Sequence, residues 1–161
     1  MKESRLKANF FLRAFGLTKV PMILYCWPSV VELSDARCEI KIPLTWRTKN
    51  HLGSMYFGAL AVGADLAAGL IAVRLSGNGP HKVSFAFKDM RGEFLKRAEG
   101  DVHFKSETGI EVAEFVSKVM ASDERHNIEV PIIATVPSRL GNEPVAKFSL
   151  TLSMKRMKET V

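Results

Sequence analysis

The sequence predicts an α+β fold in which one long helix packs against an antiparallel sheet. Three observations carry this. The segment from Met55 to Val73 is apolar or small throughout, apart from Asp65 and the phenol of Tyr56. Stretches on both sides of it alternate apolar and polar residues, the period of a half-buried strand. The later strands follow one another with a single helical insertion, whereas a parallel sheet needs regular βα alternation. With 161 residues, 47% hydrophobic and 25% charged, and only 11 Gly and 7 Pro, the chain suits one domain with a real core, residues 1–161. That balance excludes a collagen-like or disordered chain.

Each element has its own signal. Leu6, Phe10, Ala14 and Leu17 recur at helical spacing, Phe11 and Phe15 widen the same apolar side, and Gly16 marks a stop. This stripe, bordered by Arg13, is expected to pack onto the domain and not to dock on a membrane. Val20 to Pro28 is apolar and bracketed by prolines, either a buried extended connector or a short helical turn; residues 1–30 thus form an N-terminal helix and connector. From Ala36 to Leu44 the alternation is clean, with Cys38, Ile40 and Ile42 facing one way and Arg37, Glu39 and Lys41 the other.

A polar stretch, Thr45 to Ser54, leads into the long helix at 55–73. That helix could just span a bilayer by length. The strands flanking it, the central aspartate and three glycines favour a buried position instead. Gly58, Gly63 and Gly69 each cost roughly 1 kcal/mol relative to Ala in a helix interior, which implies a closely wrapped sheet. Leu75 to Pro80 reads as a turn on Gly77 and Gly79.

Beyond it, Val83, Phe85 and Phe87 alternate as a strand, a second strand is expected around Gly100–Phe104, and Ile110, Ala113 and Val116 give a short helix within 107–121. Ile128 to Val136 is β-branched, with Pro131 implying an edge or a bulge. Arg139 to Pro144 is a turn before the last strand, Ala146 to Met154.

Charge and motifs narrow the function. Lys+Arg 23 against Asp+Glu 17 gives a net charge of +6. That surplus favours an anionic partner: nucleic acid, membrane lipid, or a phosphorylated small molecule such as a coenzyme A ester. No aromatic RNP-like stretch supports nucleic acid. There is no Gly-rich phosphate loop with Lys-Ser/Thr and no Gly-x-Ser-x-Gly elbow. His51, His81, His103 and His126 are scattered, and Cys26 and Cys38 form no CxxC, so neither a metal nor another cofactor is expected. The two cysteines read as free thiols of a reducing compartment. Charges break every apolar run at the N-terminus, which reads as a mature cytoplasmic chain.

Asp65 is the sharpest single signal. A carboxylate inside an apolar helix is costly unless it is paired or faces a cavity. Where it is tolerated, its environment can make it a usable base or nucleophile; a bond to Arg or backbone would make it structural instead. Asn50-His-Leu-Gly-Ser-Met-Tyr-Phe-Gly58 opens the same helix. The orphan N–H groups of a helix start can polarise a carbonyl. Asn50 or Ser54 could equally cap the helix.

Taken together, Asn50, Gly53-Ser54, Gly58 and Ala64-Asp65 resemble the hotdog-fold thioesterases of the phenylacetyl-CoA thioesterase-like type. Their motif runs Asn-x-x-Gly-[Thr/Ser]-x-His-Gly-Gly, followed by Leu-Ala-Asp within the helix. Phe94-Leu-Lys-Arg-Ala98 and Gly100-Asp-Val102 resemble the family's next strand step. More narrowly, Met55-Tyr-Phe-Gly-Ala-Leu60 is similar to a hotdog branch labelled a domain of unknown function. Tyr56 stands where the motif has His, and Phe57 where it has its first Gly.

The resemblance implies a long helix wrapped by five or six antiparallel strands, and a dimer or dimer of dimers. It implies that Asp65 is the base or nucleophile, that the Phe57 and Gly58 amides polarise a thioester carbonyl, and that Asn50 positions substrate or water. Ser54 and Tyr56 would line the substrate site, and Arg91, Lys96 and Arg97 would meet coenzyme A phosphates. The acid and the helix N-terminus would face each other across the dimer interface. The other reading is a non-catalytic acyl-ligand-binding or structural hotdog protein, suggested by Tyr56 and Phe57.

Overall fold

A computed structural model describes residues 4–76 and 83–157. The elements run α1 (Arg5–Thr18), α2 (Pro21–Cys26), β1 (Ser29–Leu33), β2 (Cys38–Ile42), α3 (Phe57–Leu75), β3 (Val83–Phe94), β4 (Val102–Ser106), α4 (Gly109–Met120), β5 (His126–Thr135), α5 (Pro137–Leu140) and β6 (Pro144–Arg156). The strands make one six-stranded antiparallel sheet in the order β1-β2-β4-β5-β6-β3. α3 packs against β2, β4, β5 and β6, and α4 closes over α3 and β6. A long central helix wrapped by such a sheet is the hotdog architecture.

Alternation explains the packing. Cys38, Ile40 and Ile42 of β2, with Val102 and Phe104 of β4, are fully buried, while Glu39, Lys41 and His103 point to the opposite face. α3 is apolar and long enough to cross a membrane, and here it is the core helix: Ala64, Ala67, Ala68, Ile71 and Ala72 have no exposed surface. Gly63 is where small size is indispensable, since a Cβ there would stand 2.2 Å from Cε2 of Phe104. Gly69 needs no such explanation, for its nearest neighbour, Phe87, would be 3.8 Å away.

Several expectations are corrected. α3 starts at Phe57, because the two preceding amides bond across the loop, Met55 N to Ala98 O at 2.9 Å and Tyr56 N to Thr48 O at 2.8 Å. α1 packs through Ala8, Leu12 and Gly16, so the predicted stripe of Leu6, Phe10 and Leu17 faces outward. Small residues decide that choice: a Cβ on Gly16 would lie 3.0 Å from the Leu24 nitrogen, so only this side lets α1 sit close to α2. Asn9 then joins α1 to β1, accepting from Val30 N at 2.9 Å and donating to Val30 O at 3.2 Å. Gly16 therefore lies inside the helix and does not stop it.

The Val20–Pro28 segment is the short helical turn, ended by Trp27 in the left-handed region at φ 51°. Pro131 lies in an inner strand, but β4 pairs with β5 only from Ile133 to Thr135. At Pro131, β6 is the one strand beside β5, so the position is locally an edge, where proline is tolerated. Both cysteines are buried free thiols. Burial pushes the Cys38 thiol up to about 12. Residues 77–80 of the predicted turn lie outside the described residues.

Candidate active site

The chain entering α3 is fixed by its own short polar side chains. Thr48 Oγ1 donates to Pro43 O at 2.6 Å and accepts from Thr45 N at 2.9 Å. Asn50 Oδ1 accepts from Leu52 N at 2.9 Å and Ser54 N at 3.2 Å, and its Nδ2 donates to Ser54 Oγ at 3.1 Å. Gly53 completes the turn at φ 81°, a conformation that favours glycine. Asn50 and the buried Ser54 therefore hold the loop, and neither caps the helix.

α3 has no side-chain cap at all. Ala59 N and Leu60 N both donate to Tyr56 O, at 3.0 and 3.1 Å. The Phe57 and Gly58 amides have no acceptor among the described residues. They carry the positive end of the helix dipole and can receive a carbonyl oxygen. The Tyr56 ring lies along Gly58, where a Cβ would come 2.5 Å from its Cε1. The exposed Phe57 ring turns aside, 4.7 Å from Tyr56 and 6.5 Å from Phe94, which meets Phe148 edge-on at 5.8 Å.

Two turns further along α3, Asp65 faces a groove of about 430 Å³ lined by Val62, Phe87, Lys88, Asp89, Met90 and Leu150 among others. Its carboxylate has no hydrogen bond or ion pair among the described residues. Burial alone pushes its pKa above the ordinary carboxylate value. The opposite wall contains a register shift in β3 between Phe87 and Asp89, opposite Leu152 and Thr151 of β6. Asp89 is held there by Thr151 Oγ1 at 2.8 Å. Sequence reasoning missed this wall; the break in alternation at Lys88-Asp89 was its only signal.

Gly58 and Asp65 are seven residues apart, which is about 10 Å along a helix. One chain therefore does not bring the amides and the acid to one carbonyl. Arg91 and Arg97 are exposed and have no ion pair among the described residues, whereas Lys96 is engaged with Glu143 at 2.5 Å. A separate polar cluster lies on the sheet face turned from α3. There His103 Nδ1 and Glu39 Oε1 are 2.6 Å apart, beside a groove of about 480 Å³ with Lys41, Asp101, Ser138 and Arg139.

A family model described as a domain of unknown function (DUF4442) matches residues 8–153. A comparison of the sequence with curated proteins finds no match. Solved structures do share the fold. One is PA5026 of Pseudomonas aeruginosa, a protein of unknown function named "Probable Thioesterase": 19% identical, covering 92% of this chain and 96% of that one, TM-score 0.75. The thioesterase HI1161 of Haemophilus influenzae is 12% identical, covers 100% and 97%, and has a TM-score of 0.71. OLEI01261 of Chlorobaculum tepidum, of unknown function, is 11% identical, covers 96% and 98%, and has a TM-score of 0.80.

Proposed function

The chain belongs to the DUF4442 family, a domain of unknown function, and on that premise we propose that it is a thioesterase that hydrolyses acyl-coenzyme A thioesters. The observation that carries the reading is Asp65: a carboxylate on the core helix of a hotdog fold, unpartnered among the described residues and open to a groove. The raised pKa suits a general base, since a stronger conjugate base draws a proton from water more readily.

In the proposed reaction Asp65 takes a proton from water as the water oxygen bonds to the thioester carbonyl carbon. The developing oxyanion is received by the Phe57 and Gly58 amides. Collapse of the tetrahedral intermediate breaks the carbon–sulfur bond, and the coenzyme A thiolate takes up a proton. Because acid and amides lie about 10 Å apart within one helix, the amides at each site belong to the partner protomer. β3 supports such a dimer: it is the sheet edge, twelve residues long, with its outer backbone side unpaired by any described strand.

Asn50 is then a positioning residue, holding the turn that presents the amides. Ser54 supports that turn, and Tyr56 borders the substrate. Arg91 and Arg97 meet coenzyme A phosphates, with Lys96 shared between ligand and Glu143. The exposed Phe57 ring, where the motif has glycine, favours the second reading, a protein that binds acyl ligands without hydrolysing them. A panel of acyl-CoA thioesters, followed by free-thiol release, separates the two. Catalytic release on one or more members is expected; saturable binding with no release supports the second reading.

A further inference from the structure

A helix that packs on a domain by one side normally turns charged residues to water on the other. α1 departs from this, since apolar residues predominate around Lys7 on the side turned from the domain. Its outward side carries Leu6, Phe10 and Leu17 at 83%, 77% and 70% exposure, beside Phe11 and Phe15 stacked at 6.0 Å. The same apolar surface continues over Tyr25 of α2 to Trp46, 74% exposed, whose ring meets Tyr25 edge-on at 6.4 Å. Exposed apolar surface of this extent marks a contact surface.

Charge identifies what it contacts. Between Ser4 and Val31 the chain carries Arg5, Lys7, Arg13 and Lys19 and no acidic residue. The Arg13 guanidinium lies 3.7 Å over the Trp27 ring, and that of Arg47 is 5.6 Å from Trp27 and 6.0 Å from Trp46. Basic side chains and tryptophans bordering an apolar helix face are the composition of a segment lying at a membrane–water interface. A second copy docked symmetrically on this face would set cations against cations. An anionic surface would neutralise them.

We propose that α1, α2 and the Trp46 loop dock the protein on an anionic lipid bilayer, with α1 lying in the interfacial plane. The Leu6–Phe10–Leu17 stripe, which the sequence alone would pack onto the domain, stands in the open and is free to meet such a surface. The proposal is independent of the thioesterase reading.

Vesicle flotation of the full chain tests it, with phosphatidylcholine alone and with phosphatidylcholine and phosphatidylglycerol in equal parts. The protein is expected to float with the mixed vesicles, to bind pure phosphatidylcholine weakly, and to be released by salt. Trp27 and Trp46 are the only two tryptophans, so their emission is expected to shift to the blue on the mixed vesicles. The Phe10→Glu, Leu17→Glu double variant changes two outward side chains; it is expected to keep the melting temperature and to bind roughly tenfold or more weakly. Trp46→Ser, in a loop, gives an independent loss. Failure of the wild type to float with anionic vesicles at low salt would overturn the proposal. So would undiminished binding by both variants, or a double variant that changes only the oligomeric mass in solution.

Discussion

Asp65 and Asn50, the two polar residues at the heart of the family resemblance, stand in opposite conditions. Asn50 has used its side chain on its own loop, accepting two backbone N–H groups and donating to Ser54. Asp65 has used none of its capacity among the described residues and faces a groove. One motif thus contains a residue that shapes the backbone and a residue left available for chemistry. Partners within its own loop make Asn50 scaffold, whereas Asp65, with none among the described residues, is the group that the proposed reaction can use.

The largest expected change in stability is at Asn50. Asn50→Ala removes the acceptor for Leu52 N and Ser54 N and is expected to cost about 2 kcal/mol, at roughly 1 kcal/mol per hydrogen bond. Asn50→Asp keeps that acceptor and is expected to restore most of the loss in a chemical denaturation measurement. A stable Asn50→Asp that has lost hydrolysis would break the comparison, because the amide would then act on substrate.

A smaller effect is expected at Asp65, with the opposite sign. Burial raises its folded pKa, so between the ordinary carboxylate range and that raised value the native state binds more proton than the unfolded chain. Stability contributed by the protonated form is present at low pH and falls as pH rises from the ordinary carboxylate range through the raised folded value. Asp65→Asn escapes this loss. Its melting temperature is expected to match or exceed wild type at neutral pH, with the advantage vanishing near about pH 3. A lower melting temperature at neutral pH would instead reveal a structural partner for the carboxylate.

Much of the fold was legible because strand alternation and an unbroken apolar helix are strong patterns. β2 and β6 were readable from their period, and α3 from its composition. β1 and α2 are too short for a period to show. The covered face of α1 is not legible in a hydrophobic period, because it is set by Ala8 and Gly16, whose small size decides how closely the helix can approach. At the candidate site, Asp65 was legible as a charge in an apolar run. The groove wall at Lys88 and Asp89 was not, since it depends on how β3 registers against β6. The ion pair of Lys96 with Glu143 depends in turn on two segments 47 residues apart.

The base assigned to Asp65 is tested most directly by thioester hydrolysis with Asp65→Asn, measured on whichever acyl-CoA the wild type turns over. The substitution keeps size and shape and removes the negative charge. A loss of roughly 10²-fold or more in rate is expected, with folding and oligomeric mass unchanged and the thioester still bound. A folded Asp65→Asn protein with undiminished turnover would contradict the account.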